Sequence, residues 1–185
     1  YLDTYACGLS FADISTGEVY VTELSTDEVE YKIMNESSRF SPSEVVANHT
    51  LAEQKQVIQF FKDKLNCMYD VLDDGYFEEE SCKTRATSQF ADTDLEKLGL
   101  FEKKAALKSL GGLIRYLYDT QKTGVERLMT INLYQETQFM NLDLVARRNL
   151  ELTKTLRAGD KKGSLLWVLD QTKTAMGKRL MKTYI

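Results

Sequence analysis

A glycine followed directly by a lysine, Gly177-Lys178, is the first pair in this sequence that could cradle a phosphate. A phosphate loop also needs glycine five residues before that Gly and Ser or Thr after the lysine. Thr172 and Arg179 occupy those positions, so the pair reads instead as a helix surface whose small residue permits close packing. The single histidine, His49, has no second histidine or cysteine at metal-ligand spacing and reads as a surface loop residue. Cys7, Cys67 and Cys82 form an odd set without a CxxC pair. They fall in or beside apolar stretches, where a thiol packs as a small hydrophobe. Arg147-Arg148 and Lys161-Lys162 could touch nucleic-acid phosphate. No interleaved aromatic residues accompany them, so a packed or solvated role is expected. Phe101, Tyr116, Tyr118 and Trp167 share helical spacing with leucines, a core pattern rather than a platform for stacking bases.

Asp13 is the carboxylate placed most suggestively, near the end of the first strand of a hairpin. Ribonuclease-H-like nucleases carry a metal-binding aspartate at such a position, and the resemblance raises a two-metal nuclease as an alternative function. Two-metal hydrolysis needs several carboxylates converging on ions about 4 Å apart. The available partners are Glu28 or Glu30 on the first helix and Asp73 or Asp74 after a later strand. The competing reading is turn chemistry: Asp13 accepting hydrogen bonds from the Ser15 to Gly17 amides, with Asp73-Asp74-Gly75 a second turn. Glu78-Glu79-Glu80 reads as a solvated acidic run.

The elements that position these residues follow from periodicity. Tyr5 to Ile14 is an apolar strand, Ser15-Thr16-Gly17 a turn, and Val19 to Thr22 the returning strand. Ser25 and Glu28 suggest a capping box for a helix over about 26–38. Pro42 precedes a short strand, Val45-Val46-Ala47, expected to be buried on both faces. Leu51, Ile58, Phe61 and Leu65 mark one helical stripe, and Met68 to Leu72 a further strand. From Asp94 the apolar period is helical through Leu117, with Gly111-Gly112 marking a break or a close contact. Thr123-Gly124 ends that segment, and Leu128 to Leu133 is a connecting strand. Leu142 to Thr155 and Leu165 to Leu180 are helical again, separated by the polar loop Arg157 to Gly163. The expected class is α/β, a mixed sheet flanked by helices and followed by the start of an all-α segment.

At 185 residues and 43% hydrophobic the chain can bury a core, and no apolar run reaches the roughly 18 residues of a bilayer span. The cysteine usage suits a reducing, cytoplasmic setting. Tyr1 in place of methionine, and a final helix without a stop signal, suggest a piece of something longer. Residues 1–125 hold 13 basic against 22 acidic side chains, while 126–185 hold 11 against 6. A boundary near 123–127 is therefore expected. The acidic first part repels phosphate backbones and suits scaffold or protein contact; the basic second part permits anion contact.

Several stretches resemble the bacterial MutS family of DNA mismatch repair proteins, in the connector domain and the beginning of the core. They are Gly8-Leu9-Ser10-Phe11-Ala12-Asp13-Ile14-Ser15-Thr16-Gly17-Glu18, Phe40-Ser41-Pro42-Ser43-Glu44, and Tyr116-Leu117 with Thr120-Gln121-Lys122. More specific are Arg147-Arg148-Asn149-Leu150-Glu151-Leu152 and the run from Gly163-Ser164-Leu165-Leu166-Trp167 through Asp170-Gln171-Thr172 to Met176-Gly177-Lys178-Arg179-Leu180. Ala146, where the family often has threonine, and the Thr183-Tyr184-Ile185 end depart from the pattern.

The resemblance implies a ribonuclease-H-like connector over 1–125 and the first part of a lever core over 126–185. It implies a non-catalytic relay between a mismatch-reading domain, which would precede Tyr1, and an ATPase and clamp, which would follow Ile185. ATP and Mg would belong to the whole protein and no cofactor to this stretch. The implied partners are MutL, mismatched DNA through other domains, and a second copy in a homodimer, with no membrane. No catalytic, metal or cofactor residue within the chain is implied, and the resemblance identifies no particular DNA-binding or MutL-docking residue.

Overall fold

The computed structural model describes residues 1–121, 124–135, 142 and 144–185. Two strands, β1 (Ala6–Asp13) and β2 (Glu18–Ser25), form the expected hairpin in a register running from Ala6 opposite Ser25 to Asp13 opposite Glu18. Gly17 closes its turn at φ 79° and donates its N–H to the Asp13 carbonyl at 2.9 Å. β5 (Thr130–Leu133) adds to β2 in parallel, giving a mixed three-stranded sheet in the order β1-β2-β5. β3 (Glu44–Ala47) and β4 (Met68–Val71) pair in parallel as a separate two-stranded sheet.

Helices cover both faces of the first sheet because its residues alternate. Val19 and Val21 face a core shared with α4 (Glu79–Gln89) and α5 (Lys104–Thr120), packing against Phe90, Leu107, Leu110 and Ile114. Cys7, Leu9 and Leu24 face the opposite core, built from Ile33 on α1 (Val29–Phe40), Leu51 on α2 (His49–Ala52), and Val57, Phe60 and Phe61 on α3 (Lys55–Asp63). The mixed α/β class expected from the sequence is present, with its strands divided between two sheets.

The sheets are joined by a side chain where a ladder would otherwise run. Leu2, bridged to Cys7 beside β1, donates its N–H to Asn48 Oδ1 at 2.9 Å and accepts from Asn48 Nδ2 at 2.8 Å. Asn48 is 4% exposed, so this amide imitates a strand partner in a dry place. Asn48→Ala leaves a buried N–H and a buried C=O without their partner, and the expected loss is about 3 kcal/mol. Thermal unfolding checks it: at about 2–4 °C per kcal/mol for a chain of this size, a shift below about 2 °C would refute the role.

Several local expectations are corrected. Glu28, not Ser25, is the residue at the start of α1; it lies at φ 50° and makes no side-chain cap, so the capping box is absent. The stripe Leu51 to Leu65 is two helices, α2 and α3, parted at Glu53-Gln54. Val45 and Val46 are half-buried, and only Ala47 of that strand is fully enclosed. α5 runs unbroken through Gly111-Gly112, because the pair serves close packing: a Cβ at Gly111 would lie 2.4 Å from Cys82 Cβ, and one at Gly112 2.5 Å from the Phe77 ring.

In the second part, α6 (Leu144–Asn149) ends well before Thr155, and Glu151 adopts φ 50°. The expected helix 165–180 is interrupted. α7 (Leu165–Leu169) and α8 (Ala175–Thr183) are each capped by a hydroxyl, Ser164 accepting from the Trp167 N–H and Thr174 from the Gly177 N–H. Lys122 and Thr123, and Asp143 at the start of the expected helix from Leu142, lie outside the described residues. No helix among the described residues is long and apolar enough to cross a membrane.

Candidate functional site

The Asp13 carboxylate is committed to its turn. Oδ1 accepts from the Ser15 N–H at 2.8 Å and the Ser15 hydroxyl at 2.6 Å, and Arg179 Nη1 lies 3.5 Å away. Partial burial would raise its pKa, but the Ser15 hydroxyl and amide, Arg179 and the Thr16 amide together hold it below the ordinary aspartate value. Asp73 and Asp74 belong to another turn, their carbonyls accepting from the Tyr76 and Phe77 N–H groups at the helical turn Asp74–Tyr76. Glu28 is exposed and Glu30 lies in the first turn of α1. Among the described residues no three His, Cys, Asp or Glu side chains are grouped so as to hold a metal ion. Among the described residues the nuclease alternative is therefore not supported, and the Asp13 carboxylate is taken up by its own turn.

Other candidates resolve similarly. Glu78 caps α4, its two carboxylate oxygens accepting from the Glu80 and Ser81 N–H groups, and Glu79 pairs with Lys104 at 3.1 Å. The acidic run is thus a helix start and not only a solvated face. His49 is exposed on the first residue of α2, in a helix and not a loop. All three cysteines are free and buried, and burial pushes each thiol pKa up. Lys161 pairs with Asp170 at 2.5 Å. Hydrogen bonds from Lys161 and Thr172 draw the Asp170 pKa down to about 2, and this staple closes the loop before α8.

What the chain does assemble is a seam between its two parts. Glu36 on α1 is 8% exposed and accepts from Tyr134 Oη at 2.6 Å; Arg39, one turn on, comes within 3.9 Å of the same oxygen. The Arg39 guanidinium lies 5.3 Å from the Tyr134 ring centre and 5.2 Å from that of Phe40, and Phe40 stacks on Phe11 at 4.1 Å. Arg147 on α6 faces this group: burial lowers its pKa first, the Arg39 charge lowers it further, and Glu36 opposes both. Lys182 on α8 is likewise lowered by burial, then by Lys154 and Arg147. Of the two arginines expected to be packed or solvated, Arg147 is half-buried and Arg148 exposed.

Tyr134 is fixed by the sheet. Its N–H donates to the Val21 carbonyl at 3.0 Å, and its carbonyl accepts from the Thr22 hydroxyl at 2.9 Å. A second contact closes the seam at the hairpin turn, where Arg179 Nη1 donates to Ser15 Oγ at 2.6 Å. On the connection into β5, Gln89 Nε2 donates to the Val125 and Leu128 carbonyls at 3.0 and 2.8 Å. The sequence does not single out Glu36, Arg39 or Tyr134, and it places Arg179 only on a helix surface. The available signal was a glutamate three residues beyond Ile33, on the apolar face of α1.

Comparison with known proteins gives the seam a context. The family described as MutS domain II matches residues 2–132, and that described as MutS domain III matches 145–185. A protein of Lachnoclostridium phytofermentans called DNA mismatch repair protein MutS is 37% identical over 179 residues, 97% of this chain and 19% of its own length. Proteins of the same name from Alkaliphilus oremlandii and Caldanaerobacter subterraneus are each 38% identical, over 100% and 96% of this chain and 21% and 20% of their own lengths. The chain thus spans about a fifth of the length of the curated relatives it matches. The seam lies between the stretches matched by the two domain families, and the chain belongs to the MutS family of DNA mismatch repair proteins.

Proposed function

We propose that this chain is the connector and the beginning of the lever core of a mismatch repair protein, divided near 125/126, and that it performs no chemistry of its own. It relays between a mismatch-reading domain and an ATPase and clamp, and its connector presents a docking face to MutL. The observation that carries the reading is the seam, where α6 packs on α1 beside the buried Glu36–Tyr134 hydrogen bond and Arg179 of α8 bonds Ser15 at the hairpin turn. A relay passes a displacement on only if its own interior resists deformation, and close-packed cores on both faces of the sheet supply that stiffness. The ribonuclease-H-like arrangement of the connector belongs to the same proposal and is supported by the antiparallel hairpin with a parallel third strand beside it.

In the whole protein, mismatched DNA, ATP with Mg, and a second subunit are engaged by other domains in a cytoplasmic setting. The docking part is tested on the chain itself by isothermal calorimetry against the N-terminal region of MutL. Saturable heat is expected; no heat at a concentration of about 100 μM, roughly −5.5 kcal/mol of binding free energy, would remove it.

A further inference from the structure

Two of the contacts along the seam differ in kind. The Glu36–Tyr134 bond is buried, and its tyrosine is held to β2 by its N–H on the Val21 carbonyl and its carbonyl under the Thr22 hydroxyl. The Arg179 contact is open: its side chain is 60% exposed and that of Asp13 38%. They are also separated along one strand. The turn before Glu18 holds the Arg179 site and Thr22 holds Tyr134, so about 13 Å lies between them at roughly 3.3 Å per residue. We infer that the seam is a hinge with a releasable latch, the packing of α6 on α1 beside Glu36 and Tyr134 being the hinge and Arg179 on Ser15 and Asp13 the latch, so that α8 leaves the hairpin turn while α6 stays on α1.

The chemistry suits this division. An exposed guanidinium–carboxylate contact contributes little to stability and is screened by salt, so it opens readily. The receiving side is preorganised, because Asp13 already holds Ser15 through both its amide and its hydroxyl, and the latch closes without rearranging the turn. α8 itself is independent of the turn: Thr174 caps it, and Asp170-Gln171 separates it from α7. The asymmetry also gives the relay a direction of movement, rotation about α6.

The inference rests on the relay reading for its purpose but is tested separately, in the chain alone. Spin labels at Glu53→Cys and Lys178→Cys, both exposed positions, report the distance from connector to α8 by double electron–electron resonance, the native cysteines being buried. At low salt a single distance is expected. Raising salt to about 1 M, where screening acts beyond about 3 Å, brings in a second, longer distance. Arg179→Ala shows that second distance at both salt concentrations, and Ser15→Ala added to it changes nothing further. A single distance at every salt concentration, or a salt response that survives in Arg179→Ala, overturns the latch. The salt titration of the otherwise unsubstituted chain decides the matter even where a variant fails to fold. A chain that binds MutL but shows no salt response loses the latch alone, and the converse result removes docking alone.

Discussion

Gly8→Ala is expected to cost about 3 kcal/mol, at the upper end of what overpacking usually costs, and to lower the melting temperature by roughly 6–12 °C. A Cβ at this position would stand 1.9 Å from the Ala105 carbonyl oxygen, 2.2 Å from its carbon and 2.6 Å from the Ala106 nitrogen. These are backbone atoms of the first turn of α5, and no rotamer change moves them. Nor is the turn free to retreat: Glu23 on β2 accepts from the Ala105 and Ala106 N–H groups at 2.9 and 3.2 Å, fastening the helix start to the hairpin. Gly75→Ala is the control, since nothing lies within 4 Å of a Cβ there. Differential scanning calorimetry of the two variants reads the contrast. A Gly8→Ala midpoint within about 2 °C of the control would mean that α5 can slide on the sheet.

Glu36→Ala is expected to cost about 2–3 kcal/mol, less than the about 3–5 for a fully enclosed pair because Arg39 keeps partial access to water. The loss has two sources. Tyr134 Oη loses an acceptor at 2.6 Å, and Arg39 and Arg147, which already oppose one another's charge, lose the carboxylate facing both. Glu36→Gln, which keeps an acceptor for Tyr134 without the charge, falls about midway. The site of the damage distinguishes this from general destabilisation. Amide exchange should accelerate in α6 while α4 and α5, which belong to the other core, keep their protection. Uniform acceleration across both would show that the seam is not a separate joint.

The hairpin, the strand segments β3 and β4 and the helical period of α5 are legible in the sequence because their apolar residues mark them, whereas the pairing of β3 with β4 in a separate sheet and the continuity of α5 through Gly111-Gly112 are not. α4 was not, and the reason is physical: Cys82 and Ala86 are the buried residues along its eleven positions, and Gly111 lets α5 approach so closely that no larger side chain is needed. The apolar period at Leu165, Leu169 and Met176 suggests one helix where there are two, and all three side chains are exposed. Asp170, held by Lys161 and Thr172, and the Thr174 cap interrupt it with local hydrogen bonds that periodicity does not register.

The seam was the least legible part. Glu36 and Tyr134 are 98 residues apart, and a partnership of that kind is decided by topology rather than by any motif. Asp13 illustrates the converse case: its position at the strand end was correctly found, and the turn reading, not the metal reading, describes its bonds.

The division of the strands between two sheets has a mechanical consequence. The unit formed by β3, β4, α2 and α3 adheres through side chains: apolar packing, the Asn48 clasp, and Tyr116 on α5 reaching Glu44 at 2.5 Å. Zippered backbones yield one rung at a time, whereas a patch fastened at discrete points lets go in a single step. A pull on this flank would therefore meet an all-or-none threshold, a breakaway shear, while the hairpin and its helices stayed whole.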